Sequence, residues 1–343
     1  MGRVKIADIA RRAGVSQKTV SRVVNRESSV SDELREKVER VIAQLNYEPD
    51  RQARSLRSGR SFHLSFAYAS PSSYFVINLI EGIRSTCRRN GYLLVPFETE
   101  EKGSRLVLSL LEFAERERLD GLLMMPPMTD NEQLLAALDE ENILYSRIAP
   151  GDQRPHQLDV VTTDRVAGRE MVDHLLQLGH RHIAYIAGHP DHLAMAQRLE
   201  GVRDGVHGQT NPRCKLEVWP GRNTFESGLE AAQELLSRQP RPTAIFAAND
   251  DMACGVLFEA LERGLRIPGE LSVAGFDDIV LASHVWPGLT TIHQPIREMG
   301  ETAAQLLIDR ISGRQVDALA PLPTRLVIRR STGEAPRVDA ARP

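Results

Sequence analysis

The sequence predicts a two-part chain: a small all-α head of about sixty residues, then a larger α/β body of two subdomains. Three observations carry this. Up to residue 45, apolar residues recur three and four apart, which is helical spacing. Beyond residue 60, short apolar runs alternate with helical segments, the pattern of parallel sheets covered by helices. Charge divides at the same place: residues 1–60 carry a net +6 and the remaining 283 a net −9. A basic head on an acidic body suggests that the head alone meets a polyanion.

The bulk properties exclude several classes. A chain of 343 residues, 41% hydrophobic and 26% charged, has the composition of a soluble globular protein. No run approaches the roughly 18 apolar residues of a membrane span. The amphipathic N-terminus does not read as a secretory signal, so the chain is expected to stay in the cytoplasm. Cys87, Cys214 and Cys254 are odd in number and widely spaced, which fits free thiols better than disulfides or zinc.

In the head, Ile6, Ile9, Ala10 and Ala13 form one stripe, and Gly14 suits the left-handed position that ends a helix. Ser16 is a suitable N-cap for a second helix with Val20, Val23 and Val24 inside. Two helices joined by about three residues with a glycine in the turn match the helix-turn-helix pattern. A third helix follows Ser31, with Asp32 and Glu33 in its first turn and Val38, Val41, Ile42 and Leu45 inside. Outward on the second helix are Gln17, Lys18, Ser21 and Arg22, side chains that can reach base edges. By periodicity alone they are equally a solvated face.

After Pro49 runs Asp50-Arg-Gln-Ala-Arg-Ser-Leu-Arg-Ser-Gly-Arg60. Two turns of helix are unstable alone in water, and Arg51, Arg54, Arg57 and Arg60 repel one another without a counter-charge. The free segment therefore reads as a basic linker.

In the body, the first series of strands is expected near 63–69, 92–96, 121–125, 143–148 and 160–162. The second is expected near 182–187, 215–218, 244–248 and 271–275. Helical segments at 77–90, 105–117, 168–178, 225–238 and 251–264 separate them. Polar residues fall at strand ends: Asn249 and Asp250, Asp277 and Asp278, and Gln294. In open α/β sheets that is where ligands bind. Planar amides and carboxylates there suit the vicinal hydroxyls of a sugar, which also welcomes an aromatic wall. Asp278 is read as the cap of the next helix.

The segment Ile6-Ala-Asp-Ile-Ala-Arg-Arg-Ala-Gly-Val-Ser-Gln-Lys-Thr-Val-Ser-Arg-Val-Val-Asn25, with Val30-Ser31, Arg35-Glu-Lys-Val38 and Leu45-Asn-Tyr-Glu-Pro49, closely resembles the head of the lactose/galactose repressor (LacI/GalR) family. The body resembles that family's periplasmic-binding-protein-like core. Its anchors are 168–183, Arg198-Leu-Glu-Gly201, Ala248-Asn-Asp-Asp-Met-Ala253, Val273-Ala-Gly-Phe-Asp-Asp278 and Leu289-Thr-Thr-Ile-His-Gln-Pro295. The resemblance implies a helix-turn-helix domain over 1–49, a hinge helix over 50–60 and a ligand-binding, dimerising core over 61–330. The first core subdomain would take about 61–161 and 292–320, and the second about 162–291 and 321–330.

On that resemblance Gln17, Lys18 and Arg22 read bases, while Ser16, Thr19, Ser21, Asn25 and Ser31 mainly contact phosphates. Arg51 and Arg54 join the hinge contacts. Leu56 wedges between base steps in the minor groove, and Ala53 lets paired hinge helices approach. Asp50 replaces the usual asparagine. The effector contacts implied are Arg198, Asn249, Asp277 and Gln294, with Tyr74 or Phe75 as the aromatic position after the first strand. Trp286 is a further candidate wall. Two departures stand out: Thr163, with Asp164 next, occupies a usually acidic position, and Asn223 an often aromatic one.

The partners implied are near-palindromic operator DNA, a second copy of the chain and a small effector, a mono- or oligosaccharide, with a purine or other co-repressor as the alternative. No cofactor and no metal are expected. His180, His182, His189 and His192 lack the HExxH form and any companion cysteine. Without a Walker-type loop, a G-x-S-x-G elbow or a base–nucleophile set, no enzyme is indicated. A periplasmic-type sugar-binding protein is disfavoured by the DNA-binding head. The polar segment 331–343 is expected to be a disordered tail without leucine heptads.

Overall fold

A computed structural model describes residues 4–24, 30–45, 59–69, 74–151, 156–190, 192–208 and 214–336. The chain divides into two compact units, Met1–Phe62 and His63–Pro343. Asn25 and the hinge residues Arg51, Ala53, Arg54 and Leu56 lie outside the described residues.

The first unit holds three helices, Ile6–Ala13, Gln17–Val24 and Asp32–Gln44. Gly14 closes the first at φ 63°, and its N–H and that of Val15 take up carbonyls of the last turn. Ser16 Oγ then accepts the Thr19 N–H at 3.0 Å, which opens the second helix. Ile9, Ala10, Ala13, Val20, Val23, Val30, Val38 and Val41 form the core; Ile42 and Leu45 pack at its rim. Ser31 stands at the start of the third helix without a side-chain cap bond.

The second unit contains two parallel sheets. Strands β1 (His63–Tyr68), β2 (Leu93–Glu98), β3 (Gly121–Met124), β4 (Tyr145–Ile148) and β5 (Asp159–Val160) form one sheet, ordered β2-β1-β3-β4-β5. Strands β6 (His182–Ile186), β7 (Lys215–Trp219), β8 (Ala244–Ala247) and β9 (Ser272–Ala274) form the other, ordered β7-β6-β8-β9. Strand β10 (Thr291–His293) runs beside the β9 edge through the parallel bridges Ala274–Thr290 and Asp277–His293, and β11 (Arg325–Val327) pairs antiparallel with it. Interior strands are apolar on both faces because helices cover both, as β3 and β8 show.

The chain passes between the subdomains at 160–164, 293–296 and 320–324 among the described residues. The first and third passages run side by side: Leu322 N donates to Val161 O and Thr163 N to Leu322 O. At the second, the helix Ile296–Ile311 leaves β10 and packs against the first sheet and the helix Tyr74–Asn90.

Two findings differ from the sequence reading. Residues 331–336 are not a free tail. Ser331 is fully buried; its hydroxyl donates to Val273 O (2.6 Å) and accepts from Thr290 N (2.8 Å). Ala335 N donates to Leu178 O. The segment is polar because its hydroxyls satisfy backbone groups at a sheet margin. Asp278 does not cap the following helix, whose N-cap is Ile279. Instead it holds Arg329 Nη2 at 2.6 Å and His293 Nδ1 at 2.9 Å.

Candidate functional sites: a DNA-reading helix and an inter-subdomain cleft

In the head, Gln17 and Lys18 are exposed on the first turn of the second helix, and Ser21 and Arg22 follow one turn later on the same side. The hydroxyls of Ser16 and Thr19 lie 2.9 Å apart, so both serve the helix start, with Ser16 still exposed. This two-turn helix has a buried valine face and a polar outer face, the dimensions and chemistry for insertion into a major groove. The hydroxyl of Ser31 is exposed one helix further on.

In the body, the polar centre is built by a close helix crossing. Helices Asp164–Gln177 and Ala194–His207 touch backbone to backbone: a Cβ on Gly168 would overlap the Arg198 carbonyl, and one on Gly201 the Arg165 carbonyl. That contact sets Arg198 beside Asp164. Arg198 Nε lies 3.2 Å from Asp164 Oδ2, and Nη1 donates to Ala248 O at 2.5 Å and to Asp277 Oδ1 at 3.3 Å. Its guanidinium stacks over Phe276 at 3.7 Å. Gln294 Nε2 donates to Asp277 Oδ1 at 2.6 Å. Thr162 Oγ1 donates to Asp164 Oδ1 at 2.6 Å and lies 3.3 Å from Gln294 Oε1. Thr163 Oγ1 meets Thr324 Oγ1 at 2.7 Å. All three passages between subdomains thus lie in or beside one network.

Electrostatics follow from burial. One cation faces two carboxylates, and Arg198, Asp164, Asp277 and Gln294 are all nearly sealed. Burial pushes the Asp277 carboxyl up to about 7, partly offset by Arg198 and by the Gln294 amide. Asp277 also holds φ 108°, a backbone conformation rare for a side-chain-bearing residue and typical of ligand-contact positions. Asp250, pushed well above the carboxylate range by burial, accepts from Thr291 Oγ1 (2.6 Å) and Ile279 N (2.9 Å) and locks the strand ends.

Of the sequence-derived effector residues, Arg198, Asp277 and Gln294 meet directly. Asn249 borders them, but its amide is engaged in structure: Oδ1 accepts from Met252 N at 3.0 Å and Nδ2 donates to Asn223 O at 3.0 Å. Tyr74 (exposed) and Phe75 (half-buried) begin the helix after β1, in the other subdomain. Trp286 is not a cleft wall. It is 72% exposed and stacks with Arg330 at 5.4 Å. Asp164 and Thr162 are site members that the strand-end pattern does not single out.

A cavity of about 550 Å³ opens between the subdomains. Its walls are Ala69, Thr99–Gly103, Leu106, Pro127, Met128, Asp130 and Asn131 from the first subdomain and His189, Pro190, His192 and Leu193 from the second. No Phe, Tyr or Trp is among its described lining residues. Among the described residues no group of three or more His, Cys, Asp or Glu is placed to hold a metal, and no helix is long and apolar enough to cross a membrane.

Residues 5–50 match the bacterial regulatory proteins of the lacI family, and residues 172–332 match the periplasmic binding protein-like domain. The HTH-type transcriptional repressor PurR of Escherichia coli O139:H28 is 35% identical over 346 residues, covering 98% of this chain and 99% of that one. The chain belongs to the LacI family. The PurR of Edwardsiella ictaluri is 33% identical over 341 residues, covering 98% of this chain and 99% of its own. The lac repressor dimer bound to operator and the anti-inducer ONPF superposes with a TM-score of 0.75 at 31% identity, covering 97% of this chain and 100% of that one. A complex of the transcriptional regulator CelR with cellobiose gives 0.71 at 29% identity, with 96% and 100% covered. As a LacI-family member the chain is a DNA-binding transcriptional regulator, and its family comprises regulators, not enzymes.

Proposed function

We propose that the protein is a cytoplasmic, dimeric repressor of carbohydrate-utilisation genes whose operator affinity is set by a saccharide held between the core subdomains. The observation that carries the effector class is the make-up of the cleft. Arg198, Asp164, Asp277 and Gln294 supply charged and amide groups, and the described lining of the cavity between the subdomains sets Glu100, Asp130, Asn131, His189 and His192 among apolar residues with no Phe, Tyr or Trp. Hydroxyls both donate and accept, and such a wall serves them better than it serves a flat heteroaromatic ring, which needs stacking faces. Two LacI-family heads then read the halves of a near-palindrome with Gln17, Lys18 and Arg22, steadied by Ser16, Thr19, Ser21, Asn25 and Ser31. The hinge, with Arg51, Ala53, Arg54 and Leu56, folds only when both linkers are held close. Effector bound at the Arg198 network acts on the three passages and so on the linkers, a coupling free energy between two sites.

A purine or related co-repressor is the second reading, favoured by the PurR relatives. Thermal melting of the protein against saccharides and purines separates the two. A ligand at 100 times its Kd stabilises by about 2.7 kcal/mol. The proposal expects that rise from a saccharide and from no purine; the reverse result replaces it with the second reading.

A further inference from the structure

A separate cavity of about 610 Å³ lies at the far end of the first sheet from the cleft, against the segments that lead into β4 and β5. The five strands are parallel, so β1 begins at this same end with His63. Two strand spacings, about 10 Å, separate β1 from β4. One wall is a stack of two rings: His156 lies on Tyr145 with centroids 4.9 Å apart and planes 10° from parallel. Asp159 fixes the stack. Its carboxylate accepts from His156 N at 3.0 Å and from Nε (2.8 Å) and Nη2 (2.7 Å) of the buried Arg147. Burial lowers the His156 imidazole, which is therefore neutral at pH 7. Its Nδ1 accepts from Leu158 N at 3.4 Å, so Nε2 carries the proton. Burial, with Asp139 beside it, pushes the Tyr145 phenol up to about 12, so its hydroxyl stays protonated and donates to the Asp139 carboxylate.

We infer that this cavity binds a free α-amino acid with an apolar side chain: its carboxylate on Arg310, its ammonium on Asp139, its side chain against Ile143, Leu144 and the ring stack. It is a second small-molecule input, apart from the cleft. Arg310 stands in the last turn of the helix Ile296–Ile311 and Asp139 near the end of the helix Glu132–Glu140. Both line the cavity, and neither forms an ion pair with the other or with any other described residue. Arg314, close by in sequence, is by contrast taken up by Asp309. The charges of Asp139 and Arg310 both reach His156, with opposite effects on its protonation, so both lie close to one ring. Two unpaired charges of opposite sign over a small shared volume are the complement of a zwitterion. A simple anion would meet Asp139 as a like charge, and a simple cation Arg310, so a ligand of one charge leaves half the site opposed to it. Ile143 and Leu144 are half-buried and, with the two rings, give the apolar surface that selects the side chain. The volume falls in the range of small-molecule sites.

The test is calorimetric titration of the full chain with valine, leucine, isoleucine, methionine and phenylalanine, each beside its two single-charge analogues. For leucine these are 4-methylpentanoate, which lacks the ammonium, and 3-methylbutylamine, which lacks the carboxylate. At least one amino acid is expected to bind with a Kd below about 1 mM, tenfold or more tightly than either of its analogues. Arg310→Gln and Asp139→Asn, changes at exposed positions that leave the fold intact, should each weaken that amino acid by tenfold or more. Arg310→Gln should leave the amine analogue unchanged, and Asp139→Asn the carboxylate analogue, which a general loss of structure would not do. The inference is overturned if no amino acid binds, if an analogue binds as tightly as its amino acid, or if both variants bind it like the parent, which places the ligand elsewhere.

Discussion

Arg198→Met tests whether the buried network is held by one cation. Methionine keeps an unbranched apolar stem and removes the guanidinium, with its charge, donors and planar face. In the structure that guanidinium serves Asp164, Asp277 and the Ala248 carbonyl, and both carboxylates are nearly sealed from water. Breaking a buried pair by removing one partner costs about 3–5 kcal/mol, chiefly because the remaining charge is left uncompensated. Loss of the stack on Phe276 adds about 1 kcal/mol. The cost depends on pH in a fixed direction. Asp277 already sits near 7 with Arg198 present. Without the cation it rises further, so the folded variant holds an extra proton, and its deficit shrinks towards pH 6 and grows towards pH 9. Urea unfolding followed by circular dichroism at pH 6, 7.5 and 9 reads this out. The triple variant Arg198→Met, Asp164→Asn, Asp277→Asn is expected to recover at least half of the loss, since neighbouring sites do not add. A single-variant cost below about 1 kcal/mol at pH 7.5, or a triple variant as unstable as the summed singles, refutes the reasoning.

Other consequences follow from separate parts of the molecule. Gln17→Ala and Lys18→Ala should each weaken specific operator binding by about 1–3 kcal/mol with the head still folded; equal binding of variant and parent in a competition assay removes them from base reading. Ser331→Ala strands the buried Thr290 N–H and should cost about 1–3 kcal/mol in denaturant unfolding, whereas no loss would return residues 331–336 to a free tail. Burial holds the His180 imidazole down at about 4, below its ordinary 6.5. The unfolded chain therefore binds more protons between those values, and stability falls as pH drops through them. The full loss is on the order of 3 kcal/mol at about 1.4 kcal/mol per pH unit. His180→Asn should flatten that part of the pH profile, and an unchanged profile places the sensitivity elsewhere.

How much of this was legible in the sequence depended on whether the cause was local. Gly14 and Ser16 act on their own turns, so the limits of the first two helices could be read residue by residue. Strand-end placement of Asp277 and Gln294 was likewise legible, because a polar residue after an apolar run marks the C-terminal end of a covered strand. Asp164 was visible only as a departure from the resemblance. Its partner lies 34 residues away and is brought in by the Gly168–Gly201 crossing, which no local pattern announces. Trp286 misled because sequence order places it before β10 without revealing which way its ring faces. Residues 331–336 misled because a segment that satisfies backbone groups is polar for the same reason that a disordered one is. The cavity walls around Glu100 and His192 come from loops of two subdomains, and only the packed fold places them together.

The most direct test of the central claim is a fluorescence-anisotropy titration of palindromic DNA from the protein's own promoter region. It is run at one fixed salt concentration, since phosphate contacts make affinity steeply salt-dependent. Each titration is made with and without mono- and disaccharides and purines. The account predicts specific binding that one saccharide shifts by tenfold or more, about 1.4 kcal/mol of coupling. Specific binding that no saccharide moves, or that a purine alone strengthens, contradicts it.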